Sequence, residues 1–279
     1  MSEARKMTQD VELIKLNLQK HPFIKCYLGD IIAQRLKIEC YEYGMLTTQL
    51  LDGKPSEPDL TRLEGVVELG EACCRSFKSI FEERKLPNQD RYIDSEIINI
   101  LAEVKAFEFL YKHGFRDIAR VKRRKDARTV DFTAKRNRQN YAVEVTRLGL
   151  ASSKRKKPQL DKLSSPPLLT IIDSKEPQNR NRIEEDIFGE VKDKYRQIRG
   201  FCQRSVCVWK GILVISNGRD YFVAGRYENK LYELQPSTVC KTLKKVWKSL
   251  KEEQEYEFLH HILITMGEDL GKAIIYPEL

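Results

Sequence analysis

No stretch of this 279-residue sequence stays apolar over the roughly 18–20 residues that cross a bilayer. The opening segment, MSEARKMTQDVEL, has no apolar core of a secretion signal. The expectation is a chain that works inside the cell with no membrane partner: cytoplasmic or nucleoid-associated, or nuclear in a eukaryote. No CxxC pair occurs among the seven cysteines, whose count is odd and whose spacing is irregular. A reduced protein with idle or buried thiols fits this better than a disulfide framework, and Cys202 with Cys207 is too little for an iron–sulfur site. Four histidines stand at 21, 113, 260 and 261 without HExxH spacing, so all four read as structural. A P-loop, a GxGxxG loop and an internal repeat are also missing.

What is present is charge. About two-fifths of the residues are hydrophobic and a third are charged, with a net charge of +9. This describes a globular chain long enough for one large domain or two modest ones. The positive charge is uneven: from Arg120 to Arg138 there are nine Lys/Arg and two acids, Asp126 and Asp131. A second run, Lys154-Arg155-Lys156-Lys157, follows. Clustered positive charge suits a polyanion, because phosphate contacts release counterions.

Residues 1–92 read as helices: Val11–Lys20, Ile24–Leu51 and Leu60–Lys85, with a break at Gly53–Asp59. They carry no catalytic motif and suggest a helical accessory domain. A new pattern starts at residue 93. Asp94 or Ser95 caps the apolar helix IINILAEVKAFEFLYKH, which Gly114 ends as a C′ residue. Three strand-like runs follow, Asp117–Lys122, Thr129–Lys135 and Tyr141–Leu148, the last two joined as a hairpin through Arg136–Asn140. After a loop at Ala151–Pro167 and a short apolar LLTII come a helix at Asn181–Arg199, a buried strand at Gly211–Ser216, a helix at Thr238–Glu257, and strands at His261–Met266 and Ala273–Tyr276. The order α-β-β-β-α-β predicts a mixed sheet with helices on its faces, an α/β fold occupying 93–279.

Strand alternation places Asp131, Thr133 and Lys135 on one face of the second strand. It places Glu144 and Thr146 on one face of the third, with Val143 and Val145 turned to the core. Carboxylates set into apolar strands are costly unless compensated. A hard cation such as Mg²⁺, or Mn²⁺ in its place, is one compensation, and it brings a water and a phosphate within reach of each other. Pairing with the nearby arginines is the other.

The hairpin VDFTAKRNRQNYAVEVTR resembles the signature of the PD-(D/E)XK, or restriction-endonuclease-like, superfamily. AEVKAFEFLYKHGF resembles that family's first helix, with its glutamate and its terminal glycine–aromatic pair. The resemblance covers Asp94–Ser216 and implies a restriction-endonuclease-like αβββαβ core behind an N-terminal helical region. It implies a Mg²⁺- or Mn²⁺-dependent endonuclease acting on nucleic acid, DNA ahead of RNA. Asp131, Glu144 and the Val145 carbonyl match the metal ligands, and Glu103 the helical glutamate at a second metal or a water.

One position departs from the pattern. Thr146 stands where the family has lysine. Lys135 is then the expected substitute, with Thr146 orienting a water, or a second metal serving instead. Arg147 should point to the other face. On the following helix Lys194 and Gln197 are candidates for phosphate contact, against a solvated charged face. Lys122, Arg123, Arg124, Lys125, Arg136, Arg138 and the 154–157 run are the expected backbone contacts. The N-terminal helices are left with substrate preference or homodimer formation. The rivals are a catalytically inactive nucleic-acid-binding protein that retains the fold, and a helical interaction protein with incidental basic loops.

Overall fold

The computed structural model describes residues 12–37, 60–83, 93–122, 129–148, 170–173, 177–216, 230–233, 236–252, 255–265 and 273–279. The described residues begin with a short helix, α1 (residues 12–18), and then α2 (Pro22–Lys37). Pro22 takes the first helical position, where its missing N–H costs nothing. The Phe23 and Ile24 amides donate to the Glu64 carboxylate at 2.6 and 2.9 Å, so a side chain of the next helix caps α2. The expected continuation to Leu51 and the 53–59 break lie outside the described residues.

The helix expected across Leu60–Lys85 is two helices, α3 (Leu60–Cys73) and α4 (Ser79–Glu82). Backbone pairing breaks it. Arg75 N–H donates to Ile118 O and Arg120 N–H donates to Arg75 O, both at 2.9 Å, with Ser76 at φ 58°. The segment between the helices thus lies along the edge of the first strand.

Helix α5 (Ile93–Lys112) is buried at every position from 100 to 110, as a helix between two apolar layers must be. It stops at Gly114, whose φ of 78° suits a residue without Cβ. Phe115 N–H returns to Leu110 O and Gly114 N–H to Tyr111 O, so two carbonyls of the last turn are satisfied. Strands β1 (Arg116–Arg120), β2 (Phe132–Arg136) and β3 (Gln139–Arg147) follow. The β2–β3 turn is only two residues, Asn137 and Arg138, at φ 51° and 64°. Positive φ at both central positions matches the turn to the strand twist.

Next come β4 (Thr170–Asp173), the long α6 (Pro177–Arg204), β5 (Trp209–Ser216), β6 (Lys230–Glu233), α7 (Pro236–Glu252), β7 (Leu259–Thr265) and β8 (Ala273–Tyr276). The main sheet has six strands in the order β1-β2-β3-β5-β7-β8. β1, β2 and β3 are antiparallel neighbours, β3, β5 and β7 are parallel, and β8 returns antiparallel. LLTII supplies β4, which pairs in parallel with β6 in a separate two-stranded sheet. β6 has too short an apolar run to be read from sequence. The chain is therefore α/β with a mixed sheet.

The central strands β3, β5 and β7 bury both faces. Phe132, Val143, Val145, Ile212, Val214 and Leu263 pack with α5 and the N-terminal helices. Ala142, Leu213, Ile215, Ile262 and Ile264 pack with α6 and α7. Each such fully buried large aliphatic side chain contributes on the order of 1.5–3 kcal/mol. Close approach is needed at Gly211: a Cβ there would lie 2.4 Å from Phe258 O and 2.5 Å from Ile198 Cγ2. Among the described residues no helix is long and apolar enough to cross a membrane.

Candidate active site

The site lies where β2 begins and β3 ends, at the open end of the hairpin. Asp131 precedes β2 by one residue. Its N–H donates to Val143 O and its carbonyl accepts from Val121 N–H, both at 2.9 Å, so β1 and β3 hold its backbone from either side. Val143 and Val145 turn their amides to the same neighbour, because strand alternation has period two. β2 supplies no carbonyl opposite Val145, and Asp131 Oδ2 accepts its N–H at 2.8 Å instead. The Val145 carbonyl points to that same side.

Arg120, the last residue of β1, secures Asp131 from the α5 side. It is 4% exposed. Its Nε donates to Glu103 Oε2 at 2.6 Å, and its Nη2 lies 3.5 Å from Asp131 Oδ1 and 3.9 Å from Glu83 Oε2. Its Nη1 donates to Asp131 O at 3.1 Å and to Val121 O. The guanidinium lies over the Phe132 ring. A planar fork with five donors suits this many acceptors at once.

Glu144, one residue before Val145, faces the other helix layer. It is 2% exposed. Lys194 Nζ donates to its Oε1 at 3.2 Å. With its amide nitrogen turned to β3, Gln197 donates to Glu144 Oε1 at 3.0 Å, to Oε2 at 3.2 Å and to Thr129 O at 3.0 Å. Thr146 Oγ1 donates to Glu190 Oε2 at 2.7 Å, and Glu190 is itself buried. Glu190, Lys194 and Gln197 stand at i, i+4 and i+7 of α6, one stripe of that helix.

Arg120 bridges Glu103 and Asp131. Among the described residues no group of three or more His, Cys, Asp and Glu side chains is arranged to hold a metal ion. Lys135 does not reach inward. It is more than half exposed and pairs with Asp117 at 2.9 Å, and its hydrogen bond and charge hold the Asp117 carboxyl below its usual range. It lies four residues along β2 from Asp131, roughly 13 Å away. Arg147 faces α5, as expected, donating to Asn99 Oδ1 at 3.3 Å.

The expected nucleic-acid contacts separate. Lys122 is exposed just past β1, beside the site. Arg136 and Arg138 are at the turn end of the hairpin, with Arg136 Nε donating to His113 O at 3.0 Å and its guanidinium over Phe115. Arg123, Arg124, Lys125 and the 154–157 run lie outside the described residues. The histidines are used structurally: His113, His260 and His261 each set Nδ1 against a backbone carbonyl. Burial pushes the Cys74 thiol up to about 12 and the Cys202 thiol to about 11, so both stay protonated.

Arg120 and Glu190 were missed by sequence reasoning. A signal for α6 existed in EVKDKYRQ, where an acid, a lysine and a glutamine recur at helical spacing. No protein-family model, curated protein or solved structure matches this chain.

Proposed function

We propose that the chain is a metal-dependent nuclease that hydrolyses phosphodiester bonds of nucleic acid, with DNA as the first substrate to test. The observation that carries this reading is the Glu144–Lys194 pair beside the Asp131-capped Val145. It sets two carboxylates, a strand carbonyl and an ammonium at one end of one hairpin. With β4 set aside in its separate sheet, the order α5-β1-β2-β3-α6-β5, with β5 parallel to β3, supports the resemblance to the PD-(D/E)XK superfamily.

The donor set of Asp131, Glu144 and the Val145 carbonyl is all oxygen, which fits a hard divalent ion in chemistry. Such an ion, when bound, supplies charge against the phosphate and polarises a water. The chain's own residues do the rest. Arg120 and the Val145 amide fix the Asp131 carboxylate. Lys194, 29% exposed on a flexible stem, takes the part left open by Thr146. It swings from Glu144 to a non-bridging phosphate oxygen or to the attacking oxygen. Glu190 holds Thr146, and Gln197 keeps Glu144 oriented when Lys194 leaves it.

The second reading is a nucleic-acid-binding protein without cleavage. It is favoured by the partners both carboxylates already have, Arg120 and Lys194. The test is incubation with plasmid, single-stranded DNA and RNA in Mg²⁺, Mn²⁺ or EDTA. Cleavage in metal, abolished by EDTA and lowered at least about 100-fold by Glu144→Gln, is expected. Binding without cleavage in every condition would establish the second reading.

A further inference from the structure

Helix α7 carries mostly positive charge, and its one acid is its last residue, Glu252. From Pro236 to Lys251 it has five lysines and no acid. Val239, Thr242, Leu243, Val246 and Leu250 form its buried stripe. Lys241, Lys244, Lys245, Lys248 and Lys251 are all exposed. Protein surfaces ordinarily intersperse both signs, and the solvent face of α6 does so with Glu185, Lys192, Asp193, Arg196 and Arg199. Among the described residues the one acid paired with the α7 lysines is Glu184, 3.1 Å from Lys245.

That pair also locates the stripe. Glu184 lies six residues before Glu190 on α6, about 9 Å further along the helix axis. Glu190 bonds Thr146 and Lys194, one turn on, bonds Glu144. The middle of α7 therefore lies about 9 Å beyond the level at which α6 meets Thr146, past the sheet end that carries the carboxylates. Lys241 to Lys251 spans about 15 Å, the axial rise of roughly four phosphates on one strand.

We infer that the lysine face of α7 is a docking surface for a nucleic-acid phosphate backbone, positioning the polymer beside the site without reading its sequence. The inference rests on the nuclease reading for its substrate class. A membrane surface has similar charge, but an amphipathic helix binds a bilayer by inserting its apolar stripe. Here that stripe is the core, with Val239, Leu243, Val246 and Leu250 each 0–1% exposed.

The experiment uses the full chain and a fluorescent 20-base-pair DNA duplex in EDTA, titrated from 50 to 200 mM salt. Removing three phosphate contacts with Lys241→Gln, Lys244→Gln and Lys248→Gln should reduce the slope of log K against log salt by about 2.7. It should weaken binding roughly 500-fold near 0.1 M. The control removes the same charge at the exposed Lys15, Lys20 and Lys25 of the N-terminal helices, and should lose much less affinity. An unchanged slope in the α7 variant, or an equal loss in the control, overturns the proposal. So does loss of binding to phosphatidylserine vesicles with duplex binding intact. Cleavage in Mg²⁺ is scored separately. A chain that binds through α7 and never cuts refutes the nuclease reading alone. A chain that cuts and keeps its slope in the α7 variant refutes this surface alone.

Discussion

On the α5 face of the sheet the charged groups are closed in on one another, while on the α6 face one of them reaches solvent. Glu103, Arg120 and Asp131 are each 2–4% exposed, and a rigid guanidinium joins them. Glu144 is as deeply buried, but its cation, Lys194, sits on a flexible stem with 29% of its side chain exposed. A buried pair with both partners fixed maintains geometry. A buried acid with a mobile partner can exchange that partner for another positive group or a substrate. The two clusters flank the same strand end, so one holds the position that the other uses.

The largest expected effect comes from breaking the closed cluster. Arg120→Met leaves Glu103 and Asp131 buried without their cation and should cost about 3–5 kcal/mol in denaturant unfolding. Lys194→Met should cost less than half as much stability, yet lower the proposed cleavage about 100-fold. If Arg120→Met unfolds no more easily than Lys194→Met, the distinction between the two faces fails.

A milder probe uses acid. His261 lies on the α5 face against Tyr141, with Nδ1 2.8 Å from Pro277 O. Burial holds its pKa below 6.5. Below pH 6.5 the unfolded chain therefore binds more protons than the folded one. Its contribution is complete above that pH and is lost as pH falls through the folded value. Thermal midpoints of the native chain should drop as pH falls below 6.5, and His261→Asn should flatten the drop. Identical profiles would remove His261 from the account.

The smallest effect is at the turn, far from both clusters. Arg138 holds φ 64°. Arg138→Gly should stabilise the chain by about 1 kcal/mol with cleavage unchanged, measured by the same unfolding curve. A loss of cleavage there would show that the two ends of the hairpin are coupled.

Local physics made much of this legible in sequence. Alternation marked Asp131 and Glu144, a glycine–aromatic pair marked the end of α5, and a polar turn marked the hairpin. Contacts made at long range were not. Arg120 looked like the first member of a basic run, because nothing local says that β1 ends against Glu103. Lys194 is fifty residues from Glu144, so it read as a candidate phosphate contact or a solvated charge, and its pairing with Glu144 was not visible. The break after Cys73 was hidden for the same reason: the apolar spacing continues through it, and only pairing with Ile118 and Arg120 interrupts the helix.

That pairing has one more consequence. Arg75 already uses its amide and carbonyl on β1, so a strand from another molecule meets a blocked rail on that side of the sheet. Any growth of the sheet by strand addition has to start from β8, at Ala273–Tyr276, which among the described residues has a neighbour on one side only.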